Sequence, residues 1–133
     1  MHSAYHGVVR LAERIPPEVQ QNLVKLQQLQ AQLTQIVAER NVLQSELREI
    51  EKALSILKEL GEDAEVYRSA GHLLIRVKKE DAVKELEDRK EVIEIRLKSL
   101  EKQESLVRSR INEVQSQVNK YLAKVYGGRG QAS

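Results

Sequence analysis

From Pro17 onward the apolar residues recur with a seven-residue period. One position of the repeat holds Val19, Leu26, Leu33, Arg40, Leu47 and Leu54. The other holds Asn22, Leu29, Ile36, Leu43, Ile50 and Leu57. Only Asn22 and Arg40 interrupt this seam, so the pattern predicts a long helix that buries one stripe against a partner helix. Proline is tolerated in a first helical turn, and Glu18 suits the positive end of the helix dipole. Gly61 follows Leu60 as the expected C′ residue. A second seam begins after Asp81, the expected N-cap. It holds Val83, Lys90, Leu97, Glu104, Ile111, Val118 and Val125 at one position, and Leu86, Ile93, Leu100, Val107, Val114 and Tyr121 at the other.

Between the seams the period changes. Glu65 to Val77 reads as two short strands about a tight turn at Ala70-Gly71. That turn would set Arg68 opposite Leu73, Tyr67 opposite Leu74 and Val66 opposite Ile75. Val66, Leu73, Ile75 and Val77 then share one face, and Tyr67 and Leu74 share the other. A lone two-stranded sheet is marginal in water and leaves both edges open. Apolar residues on both faces, with off-seam Ile56, Val92 and Ile95 nearby, point to subunit contacts at the bend. The expected fold is mainly α: a long antiparallel two-helix coiled coil with a central β-hairpin. The helices span 16–60 and 81–126, and the hairpin spans 65–77. Each arm has about 40 residues and would reach ~60 Å. Folding about residue 70 sets position n near position 140 minus n. Arg40 and Glu104 then either pair across the seam or snorkel out separately.

Charge divides the arms. Residues 39–59 and 84–104 are dense in Glu, Lys and Arg, whereas residues 19–37 carry Lys25 alone and are rich in Gln. Leu23, Val24, Leu122 and Tyr126 fall off the seam at these far ends. Weakly charged surface with exposed apolar residues suits a low-specificity binding tip. The competing readings are frayed ends, or burial of these residues by Val8, Val9 and Leu11. Residues 1–15 read as a flexible extension or short helix, and 127–133 as a flexible tail. His2 and His6 have metal-ligand spacing, but no third ligand is nearby.

Composition narrows the function classes. The chain has four Tyr, no Phe or Trp, and no Cys. That suits helical arms better than a compact globule and excludes disulfides and thiolate metal sites. No apolar run approaches a membrane span, and no signal-peptide core precedes the arms, so a cytoplasmic protein without a membrane partner is expected. There is no phosphate loop, no nucleophile with a base, and no clustered ligands. The paired carboxylates are helix-surface charges, and neither an enzyme nor a cofactor is expected. Arg108, Arg110, Lys120 and Lys124 give the second arm a basic bias, the basis of an alternative reading as a nucleic-acid-binding arm. Gln dominates the first arm opposite, which disfavours a nucleic-acid partner. A purely structural coiled-coil oligomer is the other alternative.

Several strings carry a family resemblance: Ile15-Pro16-Pro17-Glu18-Val19-Gln20, Leu26-Gln27-Gln28-Leu29-Gln30 and Ser45-Glu46-Leu47-Arg48-Glu49-Ile50. The hairpin strings Val66-Tyr67 and Gly71-His72-Leu73-Leu74-Ile75-Arg76-Val77 join them. So do Glu85-Leu86-Glu87-Asp88-Arg89-Lys90-Glu91 and Glu101-Lys102-Gln103-Glu104. With these strings the chain resembles a β-class prefoldin subunit of the archaeal type, from about Ile15 to Tyr126. The resemblance implies an ATP-independent chaperone that holds unfolded client proteins and delivers them to a group II chaperonin. It implies a hexamer of two α and four β subunits, joined by their hairpins into a multi-subunit β-barrel. Carried onto this chain, the oligomerisation residues are Val66, Tyr67, Leu73, Leu74, Ile75 and Val77, to which the off-seam Ile95 is added. The client-binding residues are Val19, Leu23, Val24, Leu26, Leu122, Val125 and Tyr126. Residues 1–14 depart from the compact family pattern.

Overall fold

The structure is a computed structural model and describes residues 15–127. The terminal histidines, the expected N-terminal extension and the tail beyond Gly127 lie outside the described residues. Four main elements follow one another: helix α1 (Pro17–Glu59), strands β1 (Val66–Ala70) and β2 (Leu73–Val77), and helix α2 (Lys79–Leu122). A π-helical turn, Ala123–Gly127, follows α2. By packing, the residues form two compact units, Ile36–Gln103 and the paired segments 15–35 and 104–127.

Helix α1 starts where its sequence favours a start. The carbonyl of Pro16 accepts from the amides of Val19 and Gln20 at 3.0 and 3.1 Å. Pro17 therefore occupies the first helical position, where a missing N–H costs nothing. The far end of α1 differs from the expected glycine cap. Among the described residues only Gly71 has a positive φ, so Gly61 does not adopt the left-handed C′ conformation. Instead Lys79 Nζ donates to the Leu60 carbonyl at 2.7 Å. A cation from the start of α2 thus meets the negative end of α1. Helix α2 also begins two residues before the expected N-cap. Lys78 supplies the first carbonyl, accepting from the Ala82 amide at 3.0 Å. Asp81 lies inside the first turn with Glu80, where both carboxylates face the positive helix end.

The hairpin is antiparallel and pairs Val66 with Val77, Arg68 with Ile75, and Ala70 with Leu73. This corrects the expected pairing: the turn is Gly71-His72, one residue later. Gly71 has φ 61°. Positive φ at the first central residue alone is the pattern of a type II′ turn. A turn at Ala70-Gly71 would place a Cβ-bearing residue in that region at a cost of about 1–2 kcal/mol. The pairing partners shift by two, so strand parity is kept. Val66, Leu73, Ile75 and Val77 still share a face, as do Tyr67 and Leu74.

Burial follows the heptads. In the 36–103 unit, Ile50, Leu54, Ile93 and Leu97 form a buried cluster, with Leu43, Leu47, Val83 and Leu86 packed around it. Leu100 has no exposed surface. Full burial of such a side chain contributes about 1.5–3 kcal/mol. In the other unit Leu29, Val107, Val114 and Val118 are buried. Val125 is the one seam residue on the surface, and it lies in the π turn. The wider winding of that turn moves it out of the heptad phase.

Candidate functional site

Two ion pairs flank the seam of the 36–103 unit. Arg89 donates to both carboxylate oxygens of Glu46, at 2.9 and 3.1 Å. Arg96 does the same to Glu39, at 2.8 and 2.9 Å. The pairs are one heptad apart on each helix, and they step toward the N-terminus on α1 and the C-terminus on α2. That arrangement is antiparallel, as the sequence expected. Arg40 and Glu104 remain half-buried at their seam positions. Glu104 accepts from Arg108 Nε at 2.9 Å. This ties up one of the four cations behind the nucleic-acid alternative.

Hydrogen bonds from Arg96 and Arg89 hold the Glu39 and Glu46 carboxyls below the usual carboxylate range. A depressed folded pKa stabilises the fold above the pKa of the free carboxylate. That contribution is lost as pH falls through the folded value. Both pairs are exposed to solvent, so the effect is small. The double variant E39Q/E46Q is expected to show a flatter fall of melting temperature with acid than the parent. Identical profiles in a thermal melt series would show that the two pairs do not contribute.

The hairpin end of this unit is apolar and open. Leu73 and Leu74 are 67% and 73% exposed, and Tyr67 and Ile75 are also on the surface. Val66 and Val77 face one another beside the helices and are half-buried. Outside the hairpin, Ile56, Val92 and Ile95 are exposed, Ile95 at 63%. Arg68 binds Glu85 at 3.0 Å and ties β1 to α2. Between β1 and the helices runs a groove of about 730 Å³, lined by Ala53, Ile56, Val66, Tyr67, Asp88 and Val92 among others. Val66, Tyr67, Leu73, Leu74, Ile75 and Val77 therefore sit together on the hairpin at one end of this unit, whereas Ile95 stands apart, about 24 Å along α2 from Lys79.

The other unit holds the expected client-binding residues. Leu23, Val24, Leu122, Val125 and Tyr126 are exposed, whereas Val19 and Leu26 are half-buried in the seam. Seam positions face the partner helix, so Val19 and Leu26 offer only part of their side chains to a ligand. Val24 lies in a shallow recess of about 470 Å³ with Pro17, Gln20, Gln21, Lys25 and Gln28. The surface there is amide-rich with a single charge. Among the described residues no cluster of carboxylate, His or Cys ligands could hold a metal. No helix among them is long and apolar enough to cross a membrane.

Residues 20–124 match the family model described as a prefoldin subunit. The chain belongs to the prefoldin subunit family. The prefoldin subunit beta of Sulfurisphaera tokodaii is 48% identical to it over 122 residues, 92% of this chain and 98% of that protein. The prefoldin subunit beta of Sulfolobus acidocaldarius is 46% identical over 120 residues, 90% of this chain and 96% of that protein. Among solved structures, the prefoldin beta subunit from Thermococcus strain KS-1 matches with a TM-score of 0.74 at 38% identity. It covers 82% of this chain and 96% of that one. The beta2 subunit of the same strain matches at 0.63 and 26% identity, over 68% and 97%. The resemblance read from the local strings thus holds: the fold is two long helices with a central antiparallel hairpin, shared with archaeal prefoldin beta subunits. Family membership implies a chaperone role for this prefoldin subunit, as a non-enzymatic component of complexes formed with other prefoldin subunits.

Two features escaped sequence reading. The Glu39–Arg96 and Glu46–Arg89 pairs occupy positions immediately before seam residues, a signal present in the sequence but shared by many surface charges. The Lys79 cap joins residues 19 apart and has no local pattern.

Proposed function

We propose that this prefoldin subunit captures unfolded proteins at its far helix ends, without ATP, and delivers them to a group II chaperonin in the cytoplasm. Two copies of an α-type subunit and four of this chain make the working assembly, joined through hairpins into a β-barrel. The observation that carries the reading is the exposure of Leu23, Val24, Leu122, Val125 and Tyr126, the first two on a stretch of α1 rich in glutamine and poor in charge. Such a surface binds apolar segments without demanding a particular sequence, because burial of apolar area is non-directional. Each end binds weakly. Several ends held by one assembly bind one client together, because after the first contact the others act at high effective concentration.

The test uses the full chain assembled with an α-type subunit. A chemically unfolded enzyme is diluted into it and light scattering is followed without nucleotide. Scattering is expected to stay low at near-equal amounts of assembly and client, with refolding only after a group II chaperonin and ATP are added. Scattering equal to that of the client alone would refute the capture reading. Low scattering with no transfer to the chaperonin would refute delivery only.

A further inference from the structure

Burial along the seam of α2 stops before the helix does. Val118 is 6% exposed and Tyr121 is half-buried, but Leu122, Val125 and Tyr126 are on the surface. Helix α1 offers little to cover them, since it begins at Pro17, two residues before its first seam residue, Val19. Just upstream the chain bends at Ile15, because a residue that precedes proline is disfavoured in the helical region. This exit from α1 is held in place. Gln20 Nε2 donates to the Ile15 carbonyl at 3.1 Å, and Ile15 itself is half-buried.

The residues that precede Ile15 lie outside the described residues and outside the family match at 20–124. Their sequence nevertheless keeps the period of the seam. Tyr5, Ala12 and Val19 are spaced by heptads, as are Val8, Ile15 and Asn22. Such spacing gathers apolar groups on one side of the segment, and that side needs a cover. Val8 can reach about 10 Å from Ile15 if the chain between is helical, and up to ~25 Å if it is extended. Leu122 to Tyr126 occupy only about 6 Å of helix axis. We propose that residues 5–12 lie against the end of α2 in the same chain, with Tyr5, Val8 and Ala12 over Leu122, Val125 and Tyr126. This rests on the reading that the far helix ends hold clients, and it names the segment that occupies part of that surface when no client is bound. Leu23 and Val24 of α1 are then what a client meets first. The client goes on to displace the segment, so its apparent affinity falls with the fraction of time that the end of α2 is covered.

The chain has no cysteine, so an engineered pair reports the contact directly. The full-length variant V8C/V125C, assembled with an α-type subunit, is oxidised mildly and run on a non-reducing gel. A disulfide needs Cα atoms within about 7 Å, so a link within one chain is expected to form at least about tenfold faster than in the control V8C/V42C. Val42 is an exposed residue of α1 far from its start. Equal rates for the two pairs, or links only between chains, would overturn the contact. Its consequence is read by titrating the assembly against a fluorescently labelled protein kept unfolded by reduction and alkylation. The variant Y5S/V8S is expected to bind this probe about tenfold tighter than the parent with assembly mass unchanged, as it would if the end were covered roughly nine-tenths of the time. Equal binding would overturn the occlusion, and so would weaker binding, which would make the segment part of the client surface. The two readings fail separately. A link within the chain with no probe binding by parent or variant leaves the contact standing and refutes capture; probe binding without the link refutes the contact and leaves capture standing.

Discussion

Replacing Leu73 and Ile75 with glutamate should reduce the assembled protein to single chains, alone or mixed with an α-type subunit. Both residues are exposed in the isolated chain and share a strand face with Val66 and Val77. A two-stranded sheet in water has two open edges and, here, apolar groups on both faces. Such a hairpin is stable only when something else covers it. Two carboxylates per copy on the covered face would have to be desolvated without partners on every association, a cost of several kcal/mol per charge. The helices should be untouched, because neither residue belongs to the buried cluster about Ile50, Leu54, Ile93 and Leu97. The readout is mass by multi-angle light scattering beside helical circular dichroism. An unchanged mass would show that the junction lies elsewhere; a lost helical signal would point to misfolding, which the milder L73S/I75T pair avoids while still weakening association.

The second large effect concerns the far helix ends. Changing Leu23, Val24, Leu122 and Tyr126 to serine is expected to cut suppression of client aggregation by at least about tenfold in effective concentration, with assembly mass preserved. These four side chains are exposed, Tyr126 at 62%, so their loss removes little from the fold. To an apolar client segment each could contribute up to ~1.5–3 kcal/mol on full burial, and partial burial of several still adds to more than one power of ten. The number of ends in the assembly then multiplies the loss, because bivalent and multivalent holding fails steeply once single contacts weaken. A light-scattering assay that shows full suppression by the quadruple variant would place client capture elsewhere. The exposed Ile95 and Val42 would then be the next surfaces to test.

Much of this was legible in the residues because a coiled coil is a periodic object. Once a stripe repeats every seven residues, the face that must be buried is fixed, and no long-range information is needed. Among the described residues, Leu29, Ile36, Ile50, Leu54, Leu57, Ile93, Leu97, Leu100, Val107, Val114 and Val118 are the buried apolar residues, and every one is a seam position. Apart from Val125, a seam residue carried outward by the π turn, the exposed apolar groups at the hairpin and at the far ends were legible for the complementary reason: they fall outside any stripe that the chain itself could cover.

What the tertiary structure decided depends on competition between near-equal local options or on residues distant in sequence. Ala70-Gly71 and Gly71-His72 are both acceptable two-residue turns on paper. The backbone places Gly71 at the position that needs positive φ, which moves every pairing by two residues yet leaves the faces unchanged. Gly61 has the composition of a helix cap, but Lys79 satisfies the Leu60 carbonyl from across the hairpin, so no left-handed residue is required. At the flanks of the seam, Glu39–Arg96 and Glu46–Arg89 keep their guanidinium and carboxylate groups in water and avoid the desolvation cost of a buried pair. Periodicity by itself determined which residues the helices bury and which they leave over. The folded chain decided how the hairpin pairs, what caps α1, and which charges pair at the flanks of the seam, because those depend on backbone angles and distances that a linear pattern does not contain.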